Sequence, residues 1–272
     1  MRLSRRHPRY RSLVVRAGLA RAHAAGLVVG EGLIAHGRGE AFDYLLGERT
    51  SPSARRAEAV AAEWLRAARH PVVSVNGNVA ALAAAEVAAL SRAVPGLRVE
   101  VNLFHRTPGR AAAIARRLRA TGVRTVLGVR PTARLGGLPS DRARVDRRGI
   151  FVADVCLVPL EDGDRAEALR RRGTKVIAID LNPLSRTSRR ADLPIVDELT
   201  RALREIARAA VRQRGRPAEL RPFDAAGARA AALRTIARTL RGAAARRPRR
   251  GRPPPAARRS SRGSSGRSRR TR

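Results

Sequence analysis

Between residues 71 and 212, short apolar runs rich in Val, Ile and Leu alternate with segments of helical periodicity, and this alternation most constrains the fold. The helical segments are about 10 to 15 residues long, which suits the crossover that joins two parallel strands. Such crossovers are right-handed and leave helices on both faces of the sheet. The pattern therefore predicts an α/β fold with a doubly wound, mostly parallel sheet. The predicted strands are 71–76, 97–104, 123–128, 150–160, 175–180 and 193–197.

The chain divides into four parts. Helical spacing of apolar residues in 1–70 predicts an N-terminal helical region that caps the sheet. The alternating part, 71–212, is the α/β core. Weak helical periodicity marks 213–241, and 242–272 is predicted to be a disordered tail rich in Arg, Pro and Ser.

Two segments within these parts lack a regular pattern. In the cap, glycines interrupt the stretch 32–50, which predicts a turn at Gly37 and Gly39 and then a short helix over 40–46. In the core, 129–149 is rich in Gly, Pro and Arg and is predicted to be one long loop. Loops of that size in a compact domain are usually functional.

The chain of 272 residues carries a formal charge of +36, and all of its 58 basic residues except Lys175 are arginines. A field of this size attracts polyanions, so one interpretation is an Arg-rich nucleic-acid-binding protein on an α/β scaffold. Twelve of the arginines lie in 246–272, and aromatic residues make up only 3% of the chain, which leaves little surface for stacking single-stranded bases. Nucleic-acid binding through the basic tail stays open as the alternative.

Several function classes are excluded by missing patterns. No run approaches the ~18 apolar residues of a membrane span, and the N-terminus lacks a signal-peptide core, so a cytoplasmic protein is expected. Cys156 is the only cysteine, which rules out an internal disulfide framework; it is predicted to be a small core residue. The P-loop pattern G-x-x-x-x-G-K-[ST] is absent, and the missing G-x-G-x-x-G argues against a nicotinamide-dependent enzyme.

Polar clusters follow four of the predicted strands. Taken singly, each cluster is also typical of an ordinary turn or a helix N-cap. Open parallel sheets bind their ligands at the carboxyl ends of the strands, and all four clusters meet at that edge. Together they predict a ligand site there. The clusters are Asn76-Gly77-Asn78, 161–165, 180–187 and Asp197-Glu198.

Six blocks of sequence are long and unusual in composition. Together they resemble the archaeal phosphopantothenate synthetase (4-phosphopantoate–β-alanine ligase) family, from about residue 5 to 212. The resemblance implies a Rossmann-like core and a homodimeric enzyme of coenzyme A biosynthesis. The implied reaction joins 4-phosphopantoate to β-alanine and splits ATP to AMP and diphosphate, with Mg²⁺ present. The blocks are HPRY (7–10), GLIAHGRGEAFDYLLGERT (32–50), PVVSVNGNVAAL (71–82), VEVNLFHRT (99–107), ADVCLVPLEDGDR (153–165) and KVIAIDLNPLSRTSR (175–189).

The matching motifs carry the family's ATP-binding residues onto this sequence. Guanidinium groups match phosphate oxygens in a fork geometry, so Arg16, Arg38 and Arg186 are the candidates for binding the phosphates. No catalytic residue is identified beyond the candidates Arg38 and Arg186. Asp180 and Asn182 suit the edges of ribose or adenine. The ATP-binding residues that the resemblance implies are Arg16, Arg38, Asp180, Leu181, Asn182, Arg186, Thr187, Asp197 and Glu198.

Other parts of the site are placed only by their position at the sheet edge. Asp162 and Asp164 are candidates for Mg²⁺ or for the β-alanine ammonium, with helix capping as an equal alternative. The phosphate of 4-phosphopantoate needs a further anion site. The candidates for that site are Asn76, Gly77, Asn78 and Arg106.

Overall fold

The computed structural model describes residues 4–7 and 9–245. Residues 246–272, which make up most of the predicted disordered tail 242–272, lie outside the described residues. No helix among the described residues combines the length and the apolar character that crossing a membrane requires. The helices are α1 (Tyr10–Ala24), α2 (Gly30–Leu46), α3 (Pro52–Ala67), α4 (Gly77–Ala93), α5 (Pro108–Ala120), α6 (Gly163–Arg171), α7 (Arg186–Arg190), α8 (Leu199–Arg212) and α9 (Ala225–Ala245). The strands are β1 (Pro71–Val75), β2 (Arg98–Val101), β3 (Val126–Leu127), β4 (Ala133–Arg134), β5 (Arg144–Val145), β6 (Val155–Pro159), β7 (Lys175–Ile179) and β8 (Leu193–Ile195).

Six of the strands form one parallel sheet in the order β3-β2-β1-β6-β7-β8. Val73 of β1 is in register with Val99 of β2 on one side and with Leu157 of β6 on the other. The chain runs outward from β1 in one direction, crosses over, and runs outward from β6 in the other, which confirms the doubly wound fold. In such sheets, ligands bind in the crevice where the strand order reverses, here at the ends of β1 and β6.

The sheet carries an apolar layer on each face, because successive residues of a strand point to opposite sides. Val73 and Val75 face the larger layer, which holds α3, α4, α5 and α8. Val72 and Cys156 face the smaller layer, which holds α6 and residues between 133 and 153. Burial raises the pKa of the Cys156 thiol to about 12, and its prediction as a core residue is confirmed.

The only tryptophan connects the C-terminal segment to the core. The side chain of Trp64, on α3, is 2% exposed, and its indole Nε1 donates to the backbone oxygen of Arg221 at 3.0 Å. The 21-residue helix α9 follows this segment and packs against α2 and α3. The chain after residue 212 therefore forms part of the same layer as the N-terminal helices.

The turn predicted at Gly37 and Gly39 is wrong, because α2 continues without interruption from Gly30 to Leu46. A glycine inside a helix is unfavourable by only about 1 kcal/mol relative to alanine, which packing of the helix can offset. α2 packs against α4 and α9. A Cβ at Gly32 would overlap Asn78 Oδ1, so the missing side chain at that position allows α2 to approach the start of α4.

The segment 129–149 is also more ordered than the single loop that its composition predicts. It contains the antiparallel pair β4–β5 and a short 3₁₀ helix over Asp141–Ala143. The buried carboxylate of Glu100 anchors its end, because its two oxygens accept the backbone N–H groups of Asp146 at 2.8 Å and Ile150 at 2.6 Å. The predicted strand 150–160 is correspondingly shorter, since 150–152 form a second 3₁₀ helix before β6.

Glu58 of α3 makes the stability of the fold dependent on pH. Its side chain is almost fully buried, and neither carboxylate oxygen has a hydrogen-bond partner among the described residues. Burial, followed by the charge of Asp197, raises the pKa of Glu58 to about 9. A carboxyl whose folded pKa lies above its unfolded value holds a proton in the fold, so stability is lost as pH rises from about 4.5 toward 9.

Between pH 5 and pH 8.5, we expect the free energy of unfolding of the wild type to fall by about 4 kcal/mol more than that of Glu58→Gln, since one pKa unit corresponds to about 1.36 kcal/mol. Glutamine has the shape of the protonated carboxyl but cannot ionise. Urea unfolding at four pH values measures the difference, and Glu63→Gln on the same helix is the control because Glu63 is less buried. Equal pH slopes for Glu58→Gln and the wild type would contradict the assignment.

Candidate functional site

A cavity of about 860 Å³ opens at the carboxyl ends of the central strands. Its floor comes from the segments that follow β1, β6, β7 and β8, and one wall comes from α2. The predicted convergence of polar clusters at this edge is therefore present in the structure. The predicted site residues that line the cavity are Arg38, Asn76, Gly77, Asn78, Asp162, Asp180, Leu181, Asn182, Thr187 and Glu198.

Asn76 joins the two strands between which the strand order reverses. Its side-chain amide donates to the backbone oxygens of Pro159 at 3.2 Å and Leu160 at 2.9 Å, and its Oδ1 caps α4 by accepting the N–H of Val79 at 3.0 Å. The next residue, Gly77, has no room for a side chain, because a Cβ would overlap the backbone oxygen of Leu27. The first turn of α4 is therefore rigidly held and presents its backbone to the cavity.

Two buried ion pairs organise the segment after β6. The carboxylate of Glu161 pairs with Arg142 Nε at 2.8 Å and with Arg165, and all three side chains are at most 7% exposed. Asp162 shares Arg142 Nε at 3.3 Å, and burial followed by the charge of Glu161 raises the pKa of its carboxyl. Asp162 occupies the N-cap position of α6, but its side chain makes no capping hydrogen bond.

The segment after β7 forms a tight polar turn on the cavity floor. Asp180 Oδ1 accepts the N–H of Asn182 at 2.9 Å, and the side-chain oxygen of Asn182 accepts the N–H of Leu184 at 2.9 Å. Burial raises the pKa of Asp180, while hydrogen bonds and the charge of Arg38 act in the opposite direction. Thr187 closes the turn by donating to the backbone oxygen of Glu161 at 2.5 Å.

The two acids after β8 have different environments. Asp197 is 1% exposed and faces the interior, where it accepts from Thr50 Oγ1 at 2.6 Å and from Arg201 Nε at 3.0 Å. Glu198 caps α8 by accepting the N–H of Thr200 at 3.0 Å, and it also lines the cavity. Asp197 therefore positions this end of the site from beneath, and only Glu198 faces the cavity.

Arg38 projects from α2 into the cavity, and its side chain is exposed. Within the part of the chain that the structure describes, no carboxylate lies within ion-pairing distance of its guanidinium. The neighbouring His36 is half-buried, and burial lowers the pKa of its imidazole. Arg38 is thus a cation whose charge remains available to a ligand.

Five predicted residues do not line the cavity. Arg16 pairs with Glu40 at 2.9 Å, and Arg186 pairs with Asp164 at 2.5 Å. Asp197 is buried beneath the site, as described above. Arg106 donates to the backbone oxygens of Gly128 and of Val129, the latter at 2.8 Å, so it holds the turn after β3.

Two cavity arginines were missed by the sequence reasoning. Arg110 of α5 donates to the backbone oxygens of Leu27 at 3.1 Å and His105 at 2.6 Å, so its charge meets only neutral acceptors there. Burial, followed by the charge of Arg142, lowers the pKa of Arg110. The sequence signal that could have identified Arg110 is its place in the first turn of a helix that follows the end of a strand. Arg142 lies in the 3₁₀ helix of 129–149, where no periodic pattern pointed to it.

The described residues do not form a metal site from protein side chains alone. No group of three or more His, Cys, Asp or Glu side chains suitable for a metal ion occurs within 4–7 and 9–245. Mg²⁺ usually keeps several waters and takes one or two carboxylates together with substrate phosphates. Asp162 on the cavity wall fits that donor set, whereas Asp164 lies outside the cavity in its pair with Arg186.

Comparisons with known proteins give a consistent result. A family model described as phosphopantothenate/pantothenate synthetase matches residues 53–239. A curated relative from Methanospirillum hungatei is 58% identical over 202 residues, which cover 74% of this chain and 82% of the relative. A relative from Methanosarcina mazei is 54% identical, over 74% of this chain and 79% of the relative. A relative from Thermococcus onnurineus is 51% identical, over 76% of this chain and 81% of the relative. All three carry the name 4-phosphopantoate–β-alanine ligase.

Proposed function

Because this chain belongs to the phosphopantothenate/pantothenate synthetase family, we propose that it is an ATP-dependent 4-phosphopantoate–β-alanine ligase. The observation that carries the proposal is 58% identity to a ligase of that name, combined with a polar cavity at the edge where a doubly wound sheet binds ligands. The product of the reaction is 4′-phosphopantothenate, with AMP and diphosphate as the other products.

The reaction proceeds in two substitutions. A carboxylate oxygen of 4-phosphopantoate attacks the α-phosphorus of ATP, and the bond to diphosphate breaks, which leaves an acyl adenylate. The uncharged amine of β-alanine then attacks the acyl carbon, the bond to AMP breaks, and the amine loses a proton as the amide forms. No covalent bond to the enzyme is needed, so the protein contributes positioning and stabilisation of charge.

The nucleotide lies along the floor formed after β7 in this proposal. Asp180 and Asn182 present oxygen and amide groups to the ribose and adenine edges, and Arg38 reaches the phosphates from α2. The available charge of Arg38 and its position on the opposite wall support this role. The parts that the resemblance assigns to Arg16, Arg186, Thr187, Asp197 and Glu198 in ATP binding stay predictions.

The phosphate of 4-phosphopantoate is assigned to the first turn of α4, with Arg110 beside it. Gly77 and Asn78 contribute backbone N–H groups, and a Cβ at Gly77 would lie 2.8 Å from Arg110 Nη2, which places this guanidinium directly over the turn. Arg106, the arginine predicted for this site, does not line the cavity and donates to the backbone oxygens of Gly128 and Val129, whereas Arg110 lines the cavity while it donates to two backbone oxygens of its own. Arg110 therefore takes the role proposed for Arg106.

We expect Arg110→Ala to raise the KM for 4-phosphopantoate about 10- to 100-fold, since a charge-assisted hydrogen bond contributes about 1.5–3 kcal/mol. The kcat is expected to stay within about threefold, because this phosphate does not react. Arg117→Ala removes the same charge from an exposed position on the same helix and is the control. An unchanged KM in a folded Arg110→Ala protein would remove Arg110 from the substrate site.

Two further implications of the resemblance stay predictions. Mg²⁺ is proposed to arrive with the ATP phosphates, with Asp162 as its protein carboxylate. The homodimer is testable by sedimentation of the full chain.

The proposed function is tested by measuring AMP release from ATP, with 4-phosphopantoate and β-alanine each omitted in turn. AMP that forms only when both are present supports the ligase. If labelled diphosphate exchanges into ATP when 4-phosphopantoate is present and β-alanine is absent, this result supports the acyl adenylate. If folded protein with Mg²⁺ forms no AMP from the complete mixture, the ligase proposal is wrong.

A further inference from the structure

A second cavity, of about 880 Å³, lies at the opposite edge of the sheet from the candidate active site. It is bounded by the end of α4, by the turns that lead into β2 and β3, and by Arg148. Along this part of the chain, Val99 lines the second cavity and Leu103 lines the active-site cavity, and four residues of extended chain span about 13 Å at about 3.3 Å per residue. Its volume lies within the range of about 300–1,000 Å³ that is usual for small-molecule pockets.

Four arginines line this second cavity, and no Asp or Glu does. The active-site cavity differs, because acidic side chains accompany its arginines, among them Glu161, Asp162 and Asp180. In the described ranges, the one ion pair made by the four arginines joins Arg148 Nε to Asp146 Oδ1 at 3.5 Å. The Arg-rich composition alone does not account for this imbalance, since it applies equally to both cavities. The four arginines are Arg92, Arg98, Arg124 and Arg148.

The arginines converge on the cavity from separate elements. Arg98 at the start of β2 donates from Nη1 to the backbone oxygen of Arg148 at 2.5 Å, which orients the guanidinium without neutralising it. Arg92, in the last turn of α4, reaches across to Gly122, where a Cβ would lie 3.3 Å from its Nη1. Gly122 has a φ of +99°, so a side chain there is disfavoured by the backbone as well.

The floor between the arginines is apolar. Val99, Val123 and Leu127 are buried there, and Leu97 and Pro95 complete the surface. Planar guanidinium groups bind phosphate bidentately and also stack on flat organic rings. The lining therefore matches a ligand that combines phosphate charge with an apolar or aromatic body.

We propose that this cavity is a second ligand site, which binds a phosphorylated small organic molecule at the amino ends of β2 and β3. The ligand class is the nucleoside monophosphates, in which a phosphate is joined to a flat organic ring system. The site does not depend on the proposed ligase activity, because none of its residues lines the active-site cavity. A ligand here contacts the end of α4, whose first turn forms part of the other cavity.

A thiol placed in the cavity reports its occupancy separately from the active site. Thr125 is exposed and lines the cavity, so Thr125→Cys introduces a reactive thiol, while Cys156 is buried. The probes are AMP, which carries an organic body, and inorganic phosphate, which does not. The measurement is the rate of thiol alkylation at fixed ionic strength, with Ala20→Cys on exposed α1 as the control position.

We expect AMP at about four times its Kd to slow alkylation of Thr125→Cys about fivefold, with no effect at Ala20→Cys. Adding Arg92→Ala and Arg98→Ala is expected to raise the Kd at least about tenfold. Adding Arg116→Ala and Arg117→Ala instead, at exposed positions of α5, is expected to change it less than about twofold. Both pairs of variants should retain the turnover of the full chain.

Three results would overturn the proposal. Absence of protection by AMP shows that the cavity binds no nucleotide-like ligand. An equal loss of affinity for AMP in the two pairs of arginine variants shows that the general positive field of the protein, and not this cavity, attracts AMP. Equal protection by phosphate and AMP shows that the apolar floor takes no part.

Discussion

Arg38→Ala is expected to lower kcat/KM for AMP formation by about 100- to 1,000-fold, the effect of removing one preorganised donor from a developing negative charge. Arg38 faces the active-site cavity from α2 without a carboxylate partner in the described ranges. In the proposed mechanism its guanidinium binds the phosphates in the transition state. Since the side chain is exposed, its loss should leave the temperature of unfolding unchanged within about 2 °C.

Two variants separate the role of Arg38 from a general effect of charge. Arg38→Lys keeps the charge but loses the planar fork, so we expect it to recover only part of the lost activity. Arg21→Ala removes a positive charge from an exposed position on α1 and should retain nearly full activity. If Arg38→Ala and Arg21→Ala have equal kcat/KM values, Arg38 has no specific role in the reaction.

Glu161→Ala is expected to lower the free energy of unfolding by about 3–5 kcal/mol, because it leaves buried charge without a partner. Glu161 pairs with both Arg142 and Arg165, and the side chain of Arg165 is only 1% exposed. Nε and Nη2 of Arg165 already lack hydrogen-bond partners in the described structure. Without the carboxylate, Ser74 Oγ at 2.9 Å is the remaining acceptor close to that guanidinium.

Substitution of the other partner of the ion pair tests whether uncompensated buried charge causes the loss of stability in Glu161→Ala. Arg165→Met fills a similar volume with an apolar chain and leaves Glu161 paired with Arg142, so we expect a loss of less than about 2 kcal/mol. Combining Glu161→Ala with Arg165→Met should recover part of the stability lost in Glu161→Ala alone. Urea unfolding measures all three. An equal loss from each single substitution, without recovery in the pair, would point to lost packing instead.

The sheet could be predicted from the sequence because its signal is local. Runs such as KVIAID and VCLVPL are apolar on both faces, as strands in the middle of a parallel sheet must be. The carboxyl ends of such strands share one edge, so the meeting of Asn76, Glu161 and Asp180 followed from the order of elements alone. Strand ends were less predictable, since 97–104 contains a strand of only four residues.

Other features depend on contacts between distant segments, which a local pattern does not contain. Gly37 and Gly39 suggest a turn in isolation, yet α2 runs through both. The order within 129–149 depends on the carboxylate of Glu100, a residue of β2. Arg106 and Arg110 are four residues apart, and the sequence alone does not distinguish them as candidates for the second anion site. Backbone carbonyls hold one outside the cavity and the other inside it.

Trp64 gives the molecule an intrinsic fluorescent reporter, since it is the only tryptophan in the chain. Its indole lies at the contact between α3 and the segment near Arg221, so its emission wavelength reports whether that segment is docked. A red shift that precedes the loss of helical circular dichroism would reveal undocking of the C-terminal segment before the sheet unfolds. The native chain can therefore be followed in dilute solution without a label.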